Sequence, residues 1–135
     1  MDVHRLKLKS NPGCLKTVKQ WLDEIAIKYG VCESLYPDIL ISLTEAVNNA
    51  IYHGNRGDEQ KRIVVVCKVK KNKLKFEVHD QGEGFNPDEV PDPRTGDRVE
   101  TENGRGVLIM KSLAHKVRFK RKGTLVEMTF KYKSH

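Results

Sequence analysis

Long apolar runs are missing from this 135-residue chain. None approaches the ~20 residues that a membrane-crossing helix requires, so no span is expected. The opening Met1-Asp2-Val3-His4-Arg5 has no apolar signal core behind it. Cysteine is scarce. Cys14, Cys32 and Cys67 are odd in number and widely spaced, which fits neither a metal motif nor a disulfide framework. A reducing cytosol is the expected location. Internal repeats and low-complexity tracts are also lacking. The length suits one domain with a core that needs no staples.

What is present is charge, and it is arranged in blocks. The net charge is +7. Residues 111–135 hold eight Lys and Arg against Glu127 alone, which equals the whole excess. Residues 86–103 hold six acids and two arginines, a net −4. That same stretch carries Pro87, Pro91 and Pro93, with few large apolar residues. A structureless segment of that length inside a small domain is usually functional.

Hydrophobic periodicity orders the rest. Val3–Lys9 alternates as a half-buried strand, and Ser10-Asn11-Pro12-Gly13 breaks it. Leu15, Val18, Leu22, Ile25 and Tyr29 repeat at helical spacing up to Gly30. A second helix is predicted from about Pro37 to His53. The Ile63–Cys67 run and the alternating Leu74, Phe76 and Val78 read as two strands of a hairpin. A helix is predicted at about Arg105–Ala114. Strands follow near Val117–Lys120 and Leu125–Tyr132. This order predicts an α+β fold, an α/β sandwich with a mixed, mostly antiparallel sheet and helices on one face.

Three constellations carry chemistry. Glu45-Ala-Val-Asn-Asn49 sets a carboxylate and an amide one helical turn apart, on a face separate from the Leu40, Leu43 and Val47 stripe. A carboxylate there can orient or deprotonate a hydroxyl, and the amide oxygen can ligate a hard cation. A solvated polar face would show the same pair. Asp80-Gln-Gly82-Glu-Gly84-Phe85 follows a strand, and its glycines let backbone approach a flat ligand. A capped glycine turn is the plain alternative. Gly104-Arg105-Gly106-Val107 opens a helix, whose free N–H groups favour phosphate. The spacing is not that of a P-loop, and no strand precedes it as a dinucleotide fingerprint would require.

In order, the three resemble the N-box, the Asp-x-Gly-x-Gly-Phe box and the second glycine-rich box of the GHKL (Bergerat-fold) ATPases. Lys122-Gly123-Thr124 looks like the closing motif of that superfamily. The resemblance covers essentially the whole chain. Glu-Ala-Val-x-Asn-Ala-x-x-His-Gly-Asn, with Gly-Arg-Gly-Val-Leu-Ile-Met-Lys-Ser-Leu, is similar to the stand-alone anti-sigma factor serine/threonine kinases of bacteria. No histidine-bearing dimerisation helix is seen, and gyrase-type or MutL-type modules are longer.

The resemblance implies Glu45 as general base and Asn49 as the Mg²⁺ ligand. It implies Asp80 as reader of the adenine amino group and Gly82, Gly84 and Phe85 as nucleotide-lining. Gly104, Arg105, Gly106 and Val107 would meet the phosphates, Thr124 would reach adenine, and residues 86–103 would form an ATP lid. It further implies ATP with Mg²⁺ as cofactors and a homodimer formed through the sheet edge. The partners would be a sigma factor and a small STAS-type anti-anti-sigma protein that accepts phosphate. A non-catalytic nucleotide-dependent switch of the same fold is the alternative; a pure binder has no need of Glu45. Nucleic acid is not an expected partner. The basic C-terminal segment is expected to dock an acidic protein partner or to be simply solvated.

Overall fold

The structure is a computed structural model describing residues 1–82 and 102–132, with side chains described up to residue 82 and from residue 105. The element order is β1 (Asp2–Lys9), α1 (Cys14–Tyr29), α2 (Tyr36–Asn49), a π turn (Ala50–Gly54), β2 (Arg62–Lys70), β3 (Lys73–His79), α3 (Glu102–Leu113), β4 (Lys116–Lys120), a 3-10 turn (Arg121–Gly123) and β5 (Leu125–Lys131). The sheet order is β1-β2-β3-β5-β4. Every described pair is antiparallel, so no parallel member of the expected mixed sheet lies among the described residues.

Strand alternation sorts the sheet into two chemically different faces. One face carries Leu6, Leu8, Ile63, Val65, Cys67, Leu74, Phe76, Val78, Val126, Met128 and Phe130, which join the helices in a single apolar cluster. Burying this cluster is the main drive to fold. Trp21 meets Phe76 edge-on, and Phe76 meets Phe130 likewise, with ring centroids 6.2 and 6.1 Å apart. That geometry suits aromatic quadrupoles and ties α1 to the sheet centre.

Helix α1 buries Cys14, Val18, Leu22 and Ile25, one stripe at helical spacing. Gly30 ends it in the left-handed region (φ 64), where glycine escapes the Cβ clash. Helix α2 starts with Pro37 and Asp38 in its first turn, both suited to an N-terminus. It buries Ile39, Leu43, Ala46 and Val47. The Tyr36 hydroxyl donates to Asp23, bonding α2 to α1.

Three element ends differ by three residues or more from the sequence reading, and the first is β2, which runs past Cys67 to Lys70. The second helix is α-helical only to Asn49, and residues 50–54 widen into a π turn in which the Asn55 N–H reaches back to the Ala50 carbonyl at 2.7 Å. Helix α3 begins at Glu102, three residues before the predicted start. The β4–β5 connection runs through three successive left-handed residues, Arg121 (φ 52), Lys122 (φ 57) and Gly123 (φ 86). For the two non-glycines this costs roughly 1–2 kcal/mol each. It sets Thr124 beside the end of β3.

Candidate functional site

The C-terminal end of α2, the end of β3 and the start of α3 converge. A cleft of about 650 Å³ is lined by Glu45, Asn48, Asn49, Tyr52, His53, Arg105 and Ile109. A narrow slot behind it is lined by Ala46, Asn49, Ala50, Gly54, Val78, Asp80, Met110, Phe119, Gly123 and Val126. Asn49 borders both. An elongated ligand can therefore run from Asp80 past Asn49 to Glu45. The slot has about 20 Å³ free, room for a water molecule but not for a purine ring. Its apolar walls must part before a purine ring can enter.

Glycines make the convergence possible. A methyl group at Gly106 would sit 2.9 Å from Glu45 Oε2 and 3.4 Å from the Asn49 amide. A side chain there would press on both groups, so α3 approaches α2 only because residue 106 has none. A methyl at Gly54 would overlap the Asp80 carboxyl group, and one at Gly82 would overlap the Gly54 carbonyl. Gly54, Asp80 and Gly82 thus form one tight knot.

That knot is held by hydrogen bonds. The Asp80 carboxylate accepts from the Gly82 N–H at 2.8 Å, and the Asp80 N–H donates to the Thr124 carbonyl at 2.9 Å. Asn55 is fully buried; its amide donates to the Arg62 carbonyl at 3.2 Å and accepts from the Gln81 N–H at 2.8 Å. Asn55 therefore joins the π turn to the first residues beyond β3. Burial pushes the Asp80 carboxyl above the usual carboxylate range, opposed by the Gly82 N–H, Lys61 and His79. A half-buried acid of raised pKa at a cavity is a functional-site signature.

Asn49 carries the second signature. Its Nδ2 is buried with no hydrogen-bond partner. An orphaned buried amide is costly unless a ligand completes it. Among the described residues no cluster of three His, Cys, Asp or Glu could hold a metal alone. The unpartnered Nδ2 is a donor and suits a phosphate oxygen; the amide oxygen is the atom of that side chain that could ligate a hard cation such as Mg²⁺.

The site residues expected from sequence are placed as follows. Glu45, Asn49 and Arg105 line the cleft; Asp80 lines the slot. Gly82 and Gly106 pack against them. Val107 is buried in the core and lines neither cavity. Thr124 reaches the site through its backbone carbonyl, while its hydroxyl donates to the Arg121 carbonyl at 2.8 Å. Gly104 falls inside α3. Gly84, Phe85 and the expected lid at 86–103 lie outside the described residues, save for the backbone of the first turn of α3. Asn48, Tyr52, Met110 and Phe119 are lining residues that sequence reasoning missed. For Asn48 and Tyr52 the signal was available, because both fall on the Glu45 side of α2 at spacings of three and seven.

A family described as "Histidine kinase-like ATPase domain" matches residues 8–130. The chain belongs to that family. A protein of Bacillus licheniformis named "Serine-protein kinase RsbW" is 27% identical over 95% of this chain and 84% of its own length. A Clostridium perfringens protein named "Anti-sigma F factor" is 31% identical over 67% of this chain and 69% of its own. The solved structure of the RsbU and RsbW domains of a Mycobacterium tuberculosis protein superposes with a TM-score of 0.68 at 19% identity, over 98% of this chain. At that identity it speaks to fold alone. This chain spans 32% of that longer one. No helix among the described residues is long and apolar enough to cross a membrane.

Proposed function

We propose that the chain transfers the γ-phosphoryl group of ATP to a serine or threonine hydroxyl of a partner protein. The carrying observation is that Glu45 and Asn49 share one cleft while Asp80 closes the far side of Asn49. Adenine would lie at Asp80, whose carboxylate accepts from the exocyclic amine. Mg²⁺ would be held by the Asn49 amide oxygen, and when bound it neutralises developing phosphate charge. Arg105, at the cleft wall, would add positive charge from the protein. Glu45 would orient the incoming hydroxyl and take its proton. Positioning and charge neutralisation supply most of the rate in such transfers.

The names of the relatives guide the partner assignment. By analogy with a serine-protein kinase and an anti-sigma F factor, the substrate would be a STAS-type anti-anti-sigma protein. The second partner would be a sigma factor, and the chain would work as a homodimer in the bacterial cytoplasm. The test is a phosphotransfer assay with Mg-ATP and a STAS-type anti-anti-sigma protein of the same organism, read by mass spectrometry. Wild type should phosphorylate one Ser or Thr. Glu45→Ala should bind ATP normally and lose roughly 10²–10⁴-fold in rate. Transfer by Glu45→Ala at the wild-type rate would refute the assigned base.

A further inference from the structure

The second face of the sheet has no helix over it among the described residues, and its composition is unlike that of the first. Register places Lys7, Val64, His79, Leu125 and Lys120 in one row across the five strands. The next row is Arg5, Val66, Glu77, Glu127 and Arg118, and the next is Val3, Lys68, Lys75, Thr129 and Lys116. Lys70, Lys73 and Lys131 follow at one end, with Lys9 and Arg62 at the other. Twelve Lys and Arg thus share this face with two glutamates. That excess is larger than the net charge of the whole protein. The sequence reading placed the excess in the last helix and hairpin; strand pairing shows that β1, β2 and β3 contribute more than half of the face.

The layout is a rim around a centre. Glu77 and Glu127 lie directly opposite one another and are almost fully buried. Like charges so placed repel unless countered. Lys68 (2.7 Å) and His79 (2.9 Å) counter Glu77; Lys120 (3.1 Å) and Lys75 (3.5 Å) counter Glu127. The centre, with Val66, Leu125 and Thr129 buried beside these pairs, is close to charge balance, with three lysines against two glutamates. The exposed cations Arg5, Lys7, Lys9, Lys70, Lys73, Lys116, Arg118 and Lys131 surround it.

We infer that this open sheet face docks a protein that presents a complementary acidic surface. A largely buried, charge-paired centre inside a polar rim is compatible with a protein–protein interface, and a one-sign rim steers an oppositely charged partner. A second copy cannot use this face, because equal charges would meet. Nucleic acid fits less well: the face offers no Phe, Tyr or Trp ring for base stacking, its one imidazole, His79, is bonded to Glu77, and the two glutamates sit where a phosphate track would cross. A membrane fits less well also, since the large exposed apolar residues lie elsewhere, apart from Met1 at the border. The inference is independent of phosphoryl transfer, because none of these residues lines the nucleotide cavities.

The test is site-specific photo-crosslinking of the full chain in its own host. Lys116→p-benzoylphenylalanine reports on the face, and Ile27→p-benzoylphenylalanine on the helical layer. The expected result is a protein adduct from position 116 only, with the crosslinked segment of the partner net acidic. Arg5→Glu/Lys7→Glu/Lys73→Glu, all outside the Glu77 and Glu127 ion pairs, should reduce that adduct at least about tenfold. It should leave thermal stability and ATP affinity unchanged. If the triple variant does not fold, the corresponding glutamine variant replaces it. A nuclease-sensitive adduct, a lipid adduct, a neutral or basic crosslinked segment, an adduct that survives charge reversal, or no adduct would each overturn the inference.

Discussion

Gly54→Ala probes the knot at the base end of the site. The added methyl would overlap the Asp80 carboxyl carbon and lie 2.8 Å from Oδ1. The carboxylate has little freedom to retreat. The Gly82 N–H holds Oδ1 at 2.8 Å, and the Asp80 backbone is tied to Thr124 at 2.9 Å. Overpacking of this kind costs about 1–3 kcal/mol. Alanine returns about 0.8–1.0 kcal/mol through its better helical propensity. The net loss of stability should therefore be between about 0 and 2 kcal/mol. Binding should suffer more. A charged hydrogen bond to the adenine amine is worth about 1.5–3 kcal/mol, so displacing Asp80 should weaken ATP roughly 10- to 150-fold. Gly57→Ala is the control. Its φ of 74° strains any side chain, but nothing lies within 4 Å of the new methyl. It should lose about 1–2 kcal/mol of stability with ATP affinity intact. Titration calorimetry with ATP and ADP, beside thermal melts, measures both. Gly54→Ala binding ATP within about twofold of wild type would refute the placement of adenine at Asp80.

Other outcomes follow from the same geometry. Asp80→Asn should weaken ATP yet raise the melting temperature at neutral pH. Burial raises this carboxyl's folded pKa, so ionisation opposes the fold more strongly as pH rises through that value; a lower melting temperature would contradict this. Glu77 and Glu127 behave oppositely. Burial alone would raise both, but Lys68 with His79, and Lys120 with Lys75, hold them below the usual carboxylate range. Their stabilisation is present above the unfolded value of about 4.3 and is lost as pH falls through the folded values. Glu77→Gln/Glu127→Gln should flatten the acid limb of a pH–stability curve. A thiol reagent should label Cys32 first, because the Ser34 hydroxyl lowers its thiol pKa; Cys67, fully buried and pushed to about 12, should react only as the protein opens.

Elements whose residues speak through local period were legible in the sequence. Leu6 and Leu8 alternate, Val18, Leu22 and Ile25 repeat every three or four, and both appear where expected. The N-box pair was legible because Glu45 and Asn49 are one turn apart on one helix. What long-range contacts decide was not. Nothing in Ala50–Gly54 distinguishes a π turn from an α turn; Asn55 reaching to Arg62 and Gln81 is the contact that anchors it. The need for glycine at 106 becomes visible only when α3 lies against Glu45. Asn48 and Tyr52 were passed over although they share the Glu45 side of α2. The cationic face could not be seen because its twelve charges come from five strands, and only register brings them together.

The central claim is that one Mg-ATP spans the path from Asp80 past Asn49 to Glu45. An amide NMR titration of the isotope-labelled chain with Mg-ATP tests it most directly. Saturable shifts are predicted at Asp80, Gly82, Asn49, Arg105 and Gly106, with the open-face residues Arg5, Lys73 and Lys131 unmoved. Absence of saturable binding, or shifts confined to the open face, would contradict the account.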